Sequence, residues 1–187
     1  MRKLVVQQWV TVDNIAAEED GGLSFVAGEP FDDTVTGNPF QNNLMGFIDS
    51  VDTMILGANT YHQTKGYWPY AEDQGRYGKK LNSLTKFVAS STLEDAPWGD
   101  FSAATVTKDP AATIRELKEQ DGKDIWLWGS LTLLRSLVEA GVVDEVRLLV
   151  CPASRGQGTH LFEDRRSMQL LEATAFDNGV ALLRYAL

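Results

Sequence analysis

The chain is poor in the residues that build metal centres and covalent cross-links: it has one cysteine, Cys151, and two histidines, His62 and His160. A lone cysteine cannot form an intrachain disulfide, and two histidines give no ligand cluster at zinc spacing, so no metal is expected. Also missing is any apolar run near the roughly eighteen residues that a bilayer span requires. Arg2 and Lys3 precede only Leu4, Val5 and Val6 before Gln7 and Gln8 interrupt, too short a stretch for a signal-peptide core. A soluble protein of a reducing, cytoplasmic compartment is the expectation. Basic residues are outnumbered, 17 Lys and Arg against 26 Asp and Glu, for a net charge of −9. That field repels nucleic acid and anionic membranes, yet local amides and a few placed cations can still hold a small phosphorylated ligand.

Familiar catalytic motifs are missing too. A G-x-G-x-x-G fingerprint would follow the first strand, where Thr11-Val12-Asp13-Asn14 stands instead, and no Walker lysine motif or G-x-S-x-G elbow occurs. Gly156-Gln157-Gly158 is a G-x-G without the right helix start behind it. A Ser-His-Asp triad would have to use one of two histidines that sit in no recognisable elbow.

What is present reads as one domain over residues 1–187, with 43% hydrophobic residues and alternating strand and helix patterns. Leu4–Val12 reads as a central strand with a polar exit at Asp13-Asn14. A loop rich in Gly, Asp and Thr leads to Asn38-Pro39, the N-cap and first turn of a helix whose core face holds Phe40, Leu44, Phe47, Ile48 and Val51. Thr53–Leu56 is a strand ended by Gly57, and Thr60–Thr64 a brief helix. Residues 65–83, punctuated by glycine and Pro69, read as an ordered surface loop. Lys86–Ala89 and Ala103–Val106 read as strands, and Asp109-Pro110 opens a helix ended by Gly122 with Ile114 and Leu117 inward. Ile125–Trp128 is a strand, Ser130 a side-chain cap for a helix closed by Gly141, and Glu145–Cys151 a further strand. Leu170–Phe176 and Val180–Tyr185 flank Asp177-Asn178-Gly179, whose Asn-Gly pair suits a tight hairpin with left-handed residues. The sum is a mixed, mostly parallel sheet with covering helices and a C-terminal antiparallel hairpin along one edge.

Glycine at two strand-to-helix turns, Gly57 and Gly129, is suited to a diphosphate approaching the backbone at the carboxyl edge of an α/β sheet. Substitution Gly129→Val is then expected to abolish binding and leave the protein folded. Trp126 and Trp128 share one side of their strand, as core or as an aromatic wall. Lys65, Arg76, Lys79 and Lys80 make the 65–83 segment locally positive.

In order and spacing these pieces resemble the dihydrofolate reductase-like fold, in the group of the C-terminal reductase domain of bacterial bifunctional riboflavin-biosynthesis deaminase/reductases. The carriers are Arg2–Val6 running to Val10–Asp13, Met54–Gly57 through Thr60-Tyr61, Tyr67-Trp68-Pro69, Lys86–Ser90 with Thr92-Leu93, Asp124–Ser130, Val143–Glu145, and then Pro152, Gly156, Gly158, Leu161 and Phe162. The resemblance spans nearly the whole chain and implies a three-layer fold with helices on both sheet faces. It also implies an NADPH-dependent oxidoreductase, with NADH possible, that gives a hydride to a pteridine- or aminopyrimidine-like substrate and forms a homodimer.

Carried over by position, Gly57, Ala58, Asn59 and Thr60 would hold the diphosphate together with Trp128, Gly129, Ser130, Leu131, Thr132 and Leu133. Ser90 and Ser91 would lie near the adenosine ribose, and Gln8 and Trp9 near the nicotinamide. Asp13, Asp49 and Tyr61 are the candidate proton donors. Family arginines are replaced by Ala58 and Ser91, which weakens a ribose phosphate contact by about ten- to hundredfold. Gln41, Asn42 and Asn43 stand where dihydrofolate reductases carry a carboxylate, so dihydrofolate itself is not the expected substrate. Asn14 replaces a common glycine, and Arg155 a common apolar residue. Two other readings are a nucleotide-binding module of the same fold without productive chemistry, and a stand-alone enzyme of riboflavin biosynthesis.

Overall fold

The structure, a computed structural model, describes residues 1–26, 37–71 and 75–187. The loop before Asn38 lies largely outside the described residues, as do residues 72–74 of the expected 65–83 loop. The chain order begins β1 (Leu4–Thr11), β2 (Ile15–Ala17), α1 (Pro39–Ser50), β3 (Val51–Gly57), α2 (Ala58–Thr64), α3 (Gly75–Ser83), β4 (Thr85–Ala89), β5 (Ala96–Trp98) and β6 (Phe101–Thr107). It continues α4 (Pro110–Lys118), β7 (Asp124–Trp128), α5 (Leu131–Glu139), β8 (Glu145–Cys151), β9 (Thr159–His160), β10 (Gln169–Ala175) and β11 (Ala181–Ala186).

Nine strands form one sheet in the order β10-β11-β8-β1-β7-β3-β4-β6-β5. The inner neighbours pair in parallel, while β11 and β10 at one edge and β5 at the other run antiparallel. Because successive side chains of a strand point to opposite faces, β1 feeds two cores. Leu4 and Val6 join Ile55, Ile125 and Leu127 under α4 and α5. Val5 joins Met54, Leu56 and Trp126 under α1, α2 and α3. This is the three-layer arrangement expected from the resemblance, with the hairpin on the expected edge.

Local chemistry explains most element ends. Asn38 accepts from the amides of Phe40 and Gln41, and Asp109 from Ala112, so each caps the helix that its proline opens. At Gly141, φ +66, the amides of residues 141 and 142 close back on Val138 and Leu137.

Four expectations need correction. Residues 75–83 form a helix, because tertiary contacts outweigh its glycines: Leu81 is buried, and Asn82 donates to the Trp68 carbonyl and accepts from Trp98 Nε1. β5 is an additional strand, its Pro97 tolerated because it lies at the sheet edge. Helix α4 stops at Lys118; Gly122 lies beyond it where a Cβ would strike the Asp52 carboxylate at 2.7 Å. In the hairpin only Gly179 is left-handed, and its amide returns to the Phe176 carbonyl in a three-residue loop.

Among the described residues no helix is long and apolar enough to cross a membrane. Lys86, 3% exposed, is a buried cation with no acid bonded to it among the described residues; it donates to the carbonyls of Asn82 and Leu84 and lies over the Trp98 ring. Burial lowers its pKa to about 8 from the ordinary 10.5. The unfolded chain therefore binds more protons between those values, and folding stability should rise with pH across that interval. Urea unfolding of wild type and Lys86→Met at stepped pH checks this: the rise should be present in the first and absent in the second.

Candidate functional site

Strand β7 ends with Trp128 opposite Gln7, Ile55 lies opposite Leu127, and Gly57 opposite Ala89. Continuing those registers by one or two residues lines up Gln8, Gly129, Gly57 and Ala89 along the carboxyl edge. The segments singled out in the sequence at 8–9, 57–60, 90–91 and 128–133 thus meet across four adjacent strands.

The two glycine turns are fastened to each other. Ser130 sits at the start of α5 in the left-handed region, φ 62, and does not cap its own helix. Its hydroxyl instead accepts from the Gly57 amide at 2.7 Å and lies 2.7 Å from Thr60 Oγ1. A Cβ on Gly57 would stand 2.8 Å from Ser130 Oγ, and one on Gly129, φ +59, would stand 3.2 Å from Thr60 Cγ2. The glycines therefore let the turns interlock, and a β-branched residue at 129 would strain the backbone as well as crowd the site. Gly129→Val is not the fold-neutral probe that the sequence promised.

Interlocking leaves donors behind. Neither α2 nor α5 has a side-chain cap, in contrast to α1 and α4. The first three amides of a helix have no intrahelical acceptor, and Leu134 is the first in α5 to find one, on Ser130 O. Ala58, Asn59 and Thr60 therefore stand beside Leu131, Thr132 and Leu133 as two sets of N–H groups without partners among the described residues, at positive helix-dipole ends.

Around them, Gln8 is buried, with Nε2 bonded to the Ala16 and Trp9 carbonyls and Oε1 buried without a partner among the described residues. Trp9 points to the opposite face and packs edge-on against Phe40. Trp128 is half-buried, stacked on Trp126 at 5.0 Å and edge-on to Trp68 at 5.4 Å. Ser90 Oγ accepts from the amides of Thr92 and Leu93 and so shapes its own turn, leaving exposed Ser91 beside it.

The three proton-donor candidates are engaged elsewhere. Asp13 accepts from Thr11 Oγ1, the Gly156 amide, Ser154 Oγ and the Arg155 amide, which hold its carboxyl far below the usual carboxylate range. It anchors the 154–156 loop and is a poor acid. Asp49 lies near the end of α1, at the amino edge, and pairs with Arg76 at 2.6 Å. Tyr61 is fully buried, donates to the Pro97 carbonyl at 2.8 Å, and burial raises its pKa.

The two nearby departures are accommodated. Asn14 adopts φ 65, the conformation that a glycine would supply, and Arg155 pairs with Glu18 at 2.7 Å beside Phe25. Sequence inspection missed the cross-turn role of Ser130 and Thr60; the signal was a hydroxyl following each glycine turn.

The RibD C-terminal domain family matches residues 2–182. The chain belongs to this family. The family is reductase-related and its fold is dihydrofolate reductase-like. Among curated proteins the chain is 26% identical to the uncharacterized protein YyaP of Bacillus subtilis, covering 98% of this chain and 94% of that one. A putative riboflavin biosynthesis protein from Shewanella superposes with a TM-score of 0.72 at 18% identity, with 98% of each chain covered. The Thermotoga maritima diaminohydroxyphosphoribosylaminopyrimidine deaminase/5-amino-6-(5-phosphoribosylamino)uracil reductase gives 0.66 at 14% identity, covering 99% of this chain and 56% of that one. Schistosoma mansoni dihydrofolate reductase gives 0.57 at 13%, with coverage of 99% and 98%.

Ser130→Ala removes the acceptor of the Gly57 amide and the partner of Thr60. It should cost about 1–3 kcal/mol in urea unfolding, and amide exchange at Gly57 should accelerate.

Proposed function

We propose that this protein is an NAD(P)H-dependent reductase acting on a small heterocyclic, pteridine- or aminopyrimidine-like substrate. The observation that carries this is the pair of uncapped helix starts held together at the carboxyl edge by Ser130. Two unpaired amide sets side by side suit the two phosphates of a dinucleotide, and a net charge of −9 does not oppose contacts made at such short range. The buried, partnerless Gln8 Oε1 suits a carboxamide N–H, as on nicotinamide.

In this reading the amides of Ala58–Thr60 and Leu131–Leu133 hold the diphosphate and Gln8 orients the nicotinamide, while Trp128 packs on the opposite sheet face against Trp126 and Trp68. Ser90 and Ser91 lie toward the adenosine ribose. The bound coenzyme supplies the hydride, while the chain supplies orientation and excludes water. Gln41, near the start of α1, offers a neutral amide in place of a carboxylate, which favours a neutral ring over a protonated pterin. One observation favours the alternative of a nucleotide-binding module without turnover: Asp13, Asp49 and Tyr61 are all committed to structural bonds.

Titration with NADPH and with NADH, followed by tryptophan quenching, tests the core of the proposal; saturable quenching is expected, and its absence with both overturns it. Oxidation of bound coenzyme by any of a panel of pteridines, flavins and aminouracils separates the reductase from the binding module. Ser91→Arg restores a cation beside the ribose, and the NADPH-to-NADH affinity ratio should rise about tenfold or more.

The homodimer is proposed at the hairpin edge. There β10 has no strand on its outer side among the described residues, and Leu170 and Leu171 are 53% and 44% exposed. Sedimentation velocity should give a dimer for wild type and a monomer for Leu171→Lys.

A further inference from the structure

On the α1 side of the sheet, one level across four neighbouring strands is polar. Gln7 of β1 pairs with Arg147 of β8, Arg147 with Arg184 of β11, and Arg184 with Glu172 of β10. The next level toward the carboxyl edge, Trp9, Leu149 and Leu182, is apolar and closes under Phe40 and Leu44. Beneath the second half of α1 the helix and sheet part to leave a cavity of about 460 Å³ with Arg147 in its wall. Lys3, Asp124 and Glu145, at the starts of β1, β7 and β8, also line it. The cavity therefore reaches the amino edge, the opposite edge from the paired helix starts.

Charge in this cavity is unevenly settled. Arg184 takes both nearby glutamates, Nε to Glu145 at 2.6 Å and Nη1 to Glu172 at 2.7 Å. Arg147, 6% exposed, spends Nε on Gln7 Oε1 at 2.8 Å and Nη2 on Asn43 Oδ1, and its guanidinium lies over the Phe47 ring. Both hydrogen-bond partners are neutral. Among the described residues its Nη1 has no hydrogen-bond partner, and no carboxylate bonds to Arg147 at all. Burial, with Arg184 close by, lowers its pKa to about 10 against the opposing charges of Glu172 and Glu145, so at neutral pH it is still a cation. A buried guanidinium with a free N–H edge and no bonded anion is completed by an oxyanion.

The helix opposite leaves room for one. Asn42, Gly46 and Ser50 lie four residues apart along α1 at the mouth of the cavity, and a Cβ on Gly46 would meet nothing within 4 Å. Asn43, its Oδ1 fixed by Arg147, keeps its Nδ2 hydrogens without a partner among the described residues. The volume exceeds that of a bare ion and falls in the range of small-molecule sites.

We infer that this cavity is a second ligand site, separate from the carboxyl-edge groove, in which Arg147 and Asn43 hold the oxyanion group of a small organic carboxylate or phosphomonoester. The probes are inorganic phosphate and acetate, each titrated against sodium chloride at equal ionic strength. Melting temperature and the NMR shift of the Asn43 side-chain amide are read on wild type, Gly46→Leu and Arg147→Met.

In wild type a saturable rise in melting temperature should accompany movement of the Asn43 signal, and the ion that saturates at lower concentration identifies the head group. Gly46→Leu replaces a helix glycine with a better helix former and fills the mouth. It should melt no lower than wild type without anion and bind at least tenfold more weakly. Arg147→Met should show no saturation; if it does not fold, Gly46→Leu decides alone. The inference is overturned if neither ion saturates, or if Gly46→Leu binds as tightly as wild type. It is equally overturned if phosphate binds with the Asn43 signal unmoved, which would locate the ion at the helix starts. A fall in the sedimentation coefficient of anion-free Gly46→Leu would make the mouth a subunit contact, and would overturn it too.

Discussion

The hydroxyl of Ser130 is the contact on which the carboxyl edge depends. A serine at a helix start ordinarily bonds to its own first turn, and in doing so uses up the donors there. Here the left-handed backbone at Gly129 and Ser130 turns that hydroxyl toward Gly57 and Thr60. One side chain thereby fixes the distance between two turns and leaves both helices without a side-chain cap. The close approach is possible only because residues 57 and 129 carry no Cβ. Glycine, left-handed serine and bare helix starts are one arrangement rather than three.

Much of this was legible in the sequence, for identifiable reasons. Strands β1, β3, β7 and β8 carry strong alternating or continuous apolar runs, and Asn38-Pro39 and Asp109-Pro110 announce helix starts that the structure keeps. The order of motifs sufficed for the family and for the sheet with its terminal hairpin. Signals failed where a distant partner decides the outcome. Nothing local to Gly75–Ser83 announces a helix; its buried Leu81 and the Asn82 bonds to Trp68 and Trp98 do that. Ser130 looks like an ordinary cap until Gly57 is brought beside it. Asp13, Asp49 and Tyr61 were chosen for their chemistry, and only the folded chain shows that each is already bonded.

The two sides of the sheet differ in character. Under α4 and α5 the packing is apolar, from Leu4 and Val6 through Ile125 and Leu127. Under α1 a polar band crosses β10, β11, β8 and β1, and Arg147 lies at its centre in a strand whose other buried positions after Glu145 are Val, Leu and Cys. A charged residue at an inward position of a buried strand is a sequence signal in its own right. It could have directed attention to α1, where Asn43 answers it and Gly46 leaves the space open.

Gly57 and Ser130 are separated by 73 positions in the chain, and their hydrogen bond joins the turns that follow β3 and β7, which pair with each other. Contacts of such long sequence separation form late on the way to the native state, since the loop entropy must be surrendered first. A molecule with either crossover still unmade has one helix start and no companion for it. Any ligand held by both helix starts together would therefore bind only the completed central sheet and would favour it by mass action.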